Sequence, residues 1–203
     1  MDIDELISIV TLKKLEDNKF EGQNYKTVWG RIFGGQVLSQ SLHAAYQTVP
    51  KNRIAHSMHA YFILPGDLNE PVIYEVDNIR NGGSFTTRRV VAFQKGRAIF
   101  NMAASFQKDE EGFDHQIQMP NVLSPDLLLT DFEQAEKFKE ELAERYQIFL
   151  AAHPKVFDFK PVGTNIFLRK ENALPINHCW FRLKDEIDMP LQFHHQLLAF
   201  VSD

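Results

Sequence analysis

The sequence predicts an α+β fold in which a long helix is wrapped by an antiparallel sheet. Two observations carry this. The stretch Arg31 to Tyr46 repeats Val37, Leu38, Ser41, Leu42, Ala44 and Ala45 at three- and four-residue steps, the period of one helical face. From His56 to Gln107 the pattern changes to strand-like alternation, broken by turn residues. The helix is also rich in Gly, Ala and Ser. Small side chains bury little area, so its backbone must come close to a neighbour.

Before the helix, Asp2 to Val10 reads as a short helix, acidic in its first turn as the dipole favours. Thr11 to Gln23 reads as a polar strand or ribbon with a turn at Asp17-Asn18. Gly34-Gly35 would each cost about 1 kcal/mol inside a helix, which places them at its first turn. There they either leave N–H groups accessible to a negative charge or simply permit close packing.

After Pro50 the chain is strands. His56 to Leu64 stops at Pro65-Gly66-Asp67, and Pro71 to Arg80 closes at Asn81-Gly82-Gly83. In the next strand Phe85, Thr87, Arg89, Val91 and Phe93 share a face. Past a tight Lys95-Gly96 turn, Ala98, Phe100, Met102, Ala104 and Phe106 share another. A first domain therefore spans 1–107. A linker, 108–153, is loop-like to residue 130 and then a charged helix from Asp131 to His153 with an apolar stripe. The segment 154–203 begins a second repeat. Val156–Leu168 and Cys179–Leu183 are its strands, Asp188 is a candidate cap, and a last helix runs from Leu191 to Asp203. Its Phe193-His194-His195-Gln196-Leu197-Leu198 matches Phe33-Gly34-Gly35-Gln36-Val37-Leu38 at Phe, Gln and Leu, which points to an internal duplication.

Composition narrows the function classes. The 203 residues carry a net charge of −5, and no Lys/Arg run is present to neutralise phosphates, which argues against nucleic-acid binding. No stretch approaches the ~20 apolar residues that span a bilayer, so no membrane role is expected. The start, Met-Asp-Ile-Asp-Glu, is acidic where a signal peptide is basic. The single cysteine, Cys179, cannot form an internal disulfide. A cytoplasmic protein is expected.

Several motifs then occur in order. They are Val28-Trp29-Gly30-Arg31-Ile32-Phe33-Gly34-Gly35-Gln36, the run His56 to Asp67, Pro71 to Val76, Arg80 to Val90, and Phe113-Asp114-His115-Gln116. From about Leu12 to its end the chain resembles the acyl-CoA thioesterase II (TesB-like) family. The resemblance implies a double hotdog fold, here one full repeat and the start of a second. It implies hydrolysis of acyl-CoA to free acid and coenzyme A with no cofactor, and assembly as a homo-oligomer is expected. It also implies a catalytic Asp, Thr and Gln in the second repeat. Asp203 matches the Asp, whereas the Thr and Gln belong to later strands that this sequence does not contain.

The first-repeat position aligned with Asp203 is His43. For Asp203 the competing reading is a solvated terminal carboxylate. Gly34, Gly35 and His56 are the substrate-binding candidates, although a structural histidine is the favoured reading of His56. At most one of Arg88 and Arg89 can face coenzyme A phosphates, since neighbours in a strand face opposite ways. Adjacent His194-His195 cannot chelate as an i, i+4 pair would, and no metal site is expected. Cys179 is expected to be an inert core residue. Phe193, Leu197, Leu198, Phe200 and Val201 are expected to need a covering sheet. The rival to the enzyme reading is a non-catalytic hotdog chain that binds acyl-CoA or assembles with a partner supplying the missing strands; a hotdog hydratase is weaker, lacking an Asp/His pair on a loop beside the helix.

Overall fold

A computed structural model describes residues 1–27, 30–137, 155–163 and 175–203. They fall into two units, one of Asp4–Gly112 with Asp188–Asp203, the other of Met1–Ile3 with Phe113–Ile187.

In the first, α1 (Ile3–Val10) leads into the hairpin β1 (Lys13–Glu16) and β2 (Lys19–Gly22). Helix α2 (Gly34–Tyr46) follows, and then β3 (Ile54–Phe62), β4 (Val72–Asn81), β5 (Phe85–Gln94) and β6 (Arg97–Gln107). The six strands form one antiparallel sheet in the order β1-β2-β4-β5-β6-β3. Its turns sit where the sequence puts them. Lys95 and Gly96 both adopt positive φ, 49° and 73°, the left-handed pair whose twist suits a two-residue hairpin.

Val37, Leu38, Leu42, Ala44 and Ala45 of α2 are buried with Tyr74, Val76, Val90, Ala92, Phe100, Met102 and Phe106 of the sheet. Two amides, Gln36 and Gln40, are fully buried on the same helix. A buried amide without partners would cost about 1–3 kcal/mol, and these have them. Gln40 Nε2 donates to the carbonyls of Ile9 (2.6 Å) and Gln23 (2.8 Å), and Tyr74 Oη donates to Gln40 Oε1 (2.6 Å). Gln36 Oε1 accepts from Tyr25 N–H at 2.7 Å. The helix is thereby tied to the segment before it as well as to the sheet beneath.

On β5 the core takes the face opposite the one that reads as apolar. Thr86, Arg88, Val90, Ala92 and Gln94 are buried, whereas Phe85 and Arg89 are exposed. Arg88 is 1% exposed, with its guanidinium donating to Thr48 Oγ1, Asn81 Oδ1 and the carbonyls of Thr48 and Arg80. Arg89 pairs with Asp77 at 2.8 Å.

Helix α4 (α3, Asp131–Lys137, lies in the second unit) spans Leu191–Val201 and packs on α2. Pro190 stands at its N-cap with no side-chain cap bond, so the expected cap at Asp188 is not used. Phe193, Leu197 and Phe200 are buried at 6%, 3% and 0% exposure, which corrects the expectation that a further sheet must cover them. Only Leu198 of that group stands well exposed, at 55%.

The second unit holds a short 3-10 turn (Pro125–Leu127), α3 (Asp131–Lys137), and the antiparallel pair β7 (Phe157–Pro161) and β8 (Cys179–Leu183). The remainder of the expected charged helix, and residues 164–168 of the expected strand, lie outside the described residues. Thr130 and Glu133 form a capping box at the start of α3: Glu133 N–H donates to Thr130 Oγ1 at 3.1 Å, and Thr130 N–H to Glu133 Oε2 at 2.7 Å. Cys179 is exposed, against the expectation of a core thiol, because a two-stranded ribbon leaves much of its surface uncovered. Strand β8 begins as far before Phe193 as β2 begins before Phe33. No helix among the described residues is long and apolar enough to cross a membrane.

Asp131 is 3% exposed, and burial pushes its carboxyl up from 3.8 to about 6, with Phe132 N–H and Lys184 opposing. A carboxyl raised in the folded state favours folding most below its unfolded pKa, and that advantage is lost as pH rises through about 6. Asp131→Asn should therefore leave stability nearly unchanged at about pH 4 and raise it by on the order of 1 kcal/mol at about pH 7. Urea titrations at the two pH values check this.

Candidate active site

The site grows from the start of α2. Its N-cap, Phe33, is extended (φ −69°, ψ 131°) and makes no side-chain cap bond, so the first-turn N–H groups need another partner. That partner comes from the far end of α4. Asp203, just past the helix, accepts from Gly35 N–H through Oδ2 at 3.2 Å. A carboxylate here also meets the positive end of the α2 dipole, typically worth 0.3–1 kcal/mol.

The glycines make this approach possible. A Cβ on Gly35 would lie 2.0 Å from the Phe200 carbonyl oxygen, and one on Gly34 would lie 2.7–2.9 Å from the Asp203 carboxylate. Both functions considered for the pair are thus realised together, close approach and an N–H offered to a negative charge. Phe33 closes the contact edge-to-face on Phe200, with ring centroids 5.1 Å apart.

Beside this junction lies a cavity of about 590 Å³. Ile32, Phe33, Val37, Phe62, Ile63, Leu64, Ile99 and Phe100 give it apolar walls, and Arg31, Gly34 and Asp203 supply its polar groups. The loop after β3 is held firmly. Ile32 N–H donates to the Gly66 carbonyl at 3.1 Å, Gln94 Nε2 donates to the carbonyls of Asp67 (2.9 Å) and Glu70 (2.7 Å), and Lys95 pairs with both carboxylates. The Asn69 N–H and then Lys95 hold the Asp67 carboxyl below its ordinary range.

Asp203, Gly34 and Gly35 come together as a group. His56 does not join them. It is exposed on β3, with Nε2 2.8 Å from Ser105 Oγ and its ring 5.8 Å from that of Phe85, and is not among the residues lining this cavity. Arg88 is occupied in the core, as described. Sequence reasoning missed Arg31 and the wall Phe62-Ile63-Leu64. A signal for the wall was available: five apolar residues in a row, Ala60 to Leu64, break the alternation of β3 just before the Pro65-Gly66 turn. Among the described residues, no three His, Cys, Asp or Glu side chains gather as a metal site needs.

The family described as the acyl-CoA thioesterase N-terminal domain matches residues 25–107. The chain is 34% identical over 201 residues to acyl-CoA thioesterase 2 of Haemophilus influenzae, covering 99% of this chain and 70% of that protein. The chain belongs to the acyl-CoA thioesterase family. It is also 32% identical to human acyl-coenzyme A thioesterase 8, covering 97% of this chain and 64% of that one. The structure is similar to acyl-CoA thioesterase II TesB2 from Mycobacterium marinum, with 33% identity and a TM-score of 0.73, over 96% of this chain and 66% of that one. A hot dog fold protein from Alicyclobacillus acidocaldarius, 17% identical with a TM-score of 0.70, shares the fold. The fold is therefore a hotdog, and the chain spans roughly two thirds of the length of these thioesterases.

The two glycines should respond differently to alanine. At Gly35 the obstacle is backbone, so Gly35→Ala should destabilise by about 1–3 kcal/mol, as overpacking does. At Gly34 the obstacle is a side chain that can turn away, so Gly34→Ala should cost less than about 1 kcal/mol. Denaturant midpoints of the two variants give the comparison.

Proposed function

We propose that this chain carries the Asp of an acyl-CoA thioesterase site, and that the protein hydrolyses acyl-CoA to a free carboxylic acid and coenzyme A. The observation behind this is the Asp203 carboxylate, fixed on Gly35 N–H at the edge of an apolar cavity. The acyl chain occupies that cavity, which places the thioester beside the carboxylate. Asp203 orients a water and takes its proton as the water oxygen attacks the carbonyl carbon. Negative charge then builds on the carbonyl oxygen, where preorganised donors are worth several kcal/mol. Gly35 N–H is engaged with Asp203, so the other first-turn amides of α2 are the donors at hand. The C–S bond breaks, the leaving sulfur takes the proton that Asp203 received from the water, and acid and thiol leave. Arg31, at the cavity wall, is placed to meet an anionic part of the substrate.

The resemblance to TesB-like enzymes puts a Thr and a Gln beyond Asp203 as further water-orienting groups, and the longer relatives leave room for them. Association with a second copy is a further part of this reading. Strand β3 ends the sheet with one side unpaired by any described strand, and Tyr61 and Phe62 stand exposed on it. A cytoplasmic setting fits the acidic composition and single cysteine.

Release of free coenzyme A thiol from acyl-CoAs of increasing chain length tests the enzyme reading, with Asp203→Asn beside the parent. The expected result is turnover that falls by roughly 10²–10⁴-fold in the variant, the range for losing a positioned base. Saturable acyl-CoA binding with no turnover by the parent would instead establish the non-catalytic reading.

A further inference from the structure

The interface between α2 and α4 is unusual in what fixes it. Near the proposed site it is made of Gly34, Gly35, Phe33 and Phe200, groups that permit contact but have little means of setting how far one helix slides along the other. Farther along, two polar bridges cross it. His43 Nδ1 lies 3.1 Å from Gln196 Oε1, and Tyr46 Oη lies 2.7 Å from His195 Nδ1.

Hydrogen-bond directions define both bridges. Gln196 Oε1 can only accept, so His43 Nδ1–H donates; on the other ring nitrogen, Gln47 Nε2 donates to His43 Nε2 at 3.2 Å. The imidazole is therefore neutral with both nitrogens occupied, and burial, which lowers the pKa of His43, favours the same form. Tyr46 Oη accepts from Ala55 N–H at 2.8 Å, which leaves its own proton for His195 Nδ1. The second bridge thus runs from β3 through α2 to α4.

We propose that His43–Gln196 and Tyr46–His195 are register pins, positioning groups that hold α4 where Asp203 meets Gly35 N–H. Buried polar pairs between helices are best attested in this role. The geometry has little slack. His43 stands about 12 Å along α2 from Gly35, and a slip of one helical turn, about 5.4 Å, would remove the carboxylate from its donor. Closer approach of the two helices is limited by the Phe200 carbonyl against Gly35, but that contact does not set their register. The inference rests on the reading of Asp203 as the functional carboxylate, but its test does not require turnover.

Amide hydrogen exchange, read residue by residue by NMR on the 203-residue chain, measures whether Gly35 N–H keeps its partner. Tyr46→Phe removes one bridge and keeps the ring, which packs edge-to-face on Phe106. Gln196→Met removes the other at similar volume. Asp203→Ala supplies the rate of the released amide. The expected result is a Gly35 rate that rises about tenfold or more toward that reference in at least one bridge variant, while Val90 and Met102 in the sheet keep their rates. An unchanged Gly35 rate in both variants overturns the proposal. So does a parallel rise at Gly35, Val90 and Met102, which would mark the bridges as general stabilisers. If the parent chain releases no coenzyme A, that outcome concerns the proposed function alone.

Discussion

The rest of the structure depends on the distance between two helix backbones at Gly34-Gly35. No side chain larger than hydrogen fits at Gly35 without moving the end of α4, because the Phe200 carbonyl already occupies the space. That one contact brings a carboxylate from the end of the chain to the start of its first long helix. It also caps a helix whose own N-cap residue, Phe33, has no hydrogen-bonding side chain. Packing, capping and the placement of the carboxylate proposed to react are here the same few atoms.

Around this contact the fold is arranged to be stiff. The helix end is tied through Gln36 and Gln40 to Gln23, Tyr25 and Ile9, and the cavity loop is tied through Gln94 and Lys95 to Asp67 and Glu70. The glutamine hydrogen bonds among these are buried or half-buried and would each be costly to leave unmade, whereas the exposed Lys95 pairs add little. A carboxylate directs a water only if both it and the thioester are held, and small misplacements lose much of the rate. The network supplies that hold around the site proposed for Asp203.

Much of this was legible in the sequence. The helical period of Val37 to Ala45, the turns at Asp17-Asn18 and Lys95-Gly96 and the alternation of β6 all follow from local chemistry, and they appear where expected. Asp203 and the glycine pair were visible as a motif, but their meeting was not, since no local rule reports a contact between residues so far apart in the chain. The face of β5 was harder still. Arg88 looks like a surface residue by type, and it is buried only because Thr48, Asn81 and Arg80 happen to surround it. Cys179 erred the other way. Its neighbours Trp180 and Phe181 suggested a core strand, and the ribbon they form does not cover it. The bridges His43–Gln196 and Tyr46–His195 were equally hidden, because a histidine in a helix gives no sign of what lies across from it.

The internal duplication that the sequence points to would account for where those bridges sit. His43 and Asp203 occupy the same place in the two repeats, each near the end of its helix and each facing the other helix. One copy presents a carboxylate to a backbone N–H beside a cavity. The other presents a neutral imidazole to the side chain of Gln196, the repeat counterpart of Gln36. A two-fold arrangement of helices needs one set of contacts to be geometrically sound at both ends, but chemistry is needed at only one. Where the carboxylate is replaced by imidazole, the same position can take up a closed pair of hydrogen bonds instead of meeting water. On the proposed reading of Asp203, the helix that lacks the carboxylate is then free to fix the alignment of the one that carries it.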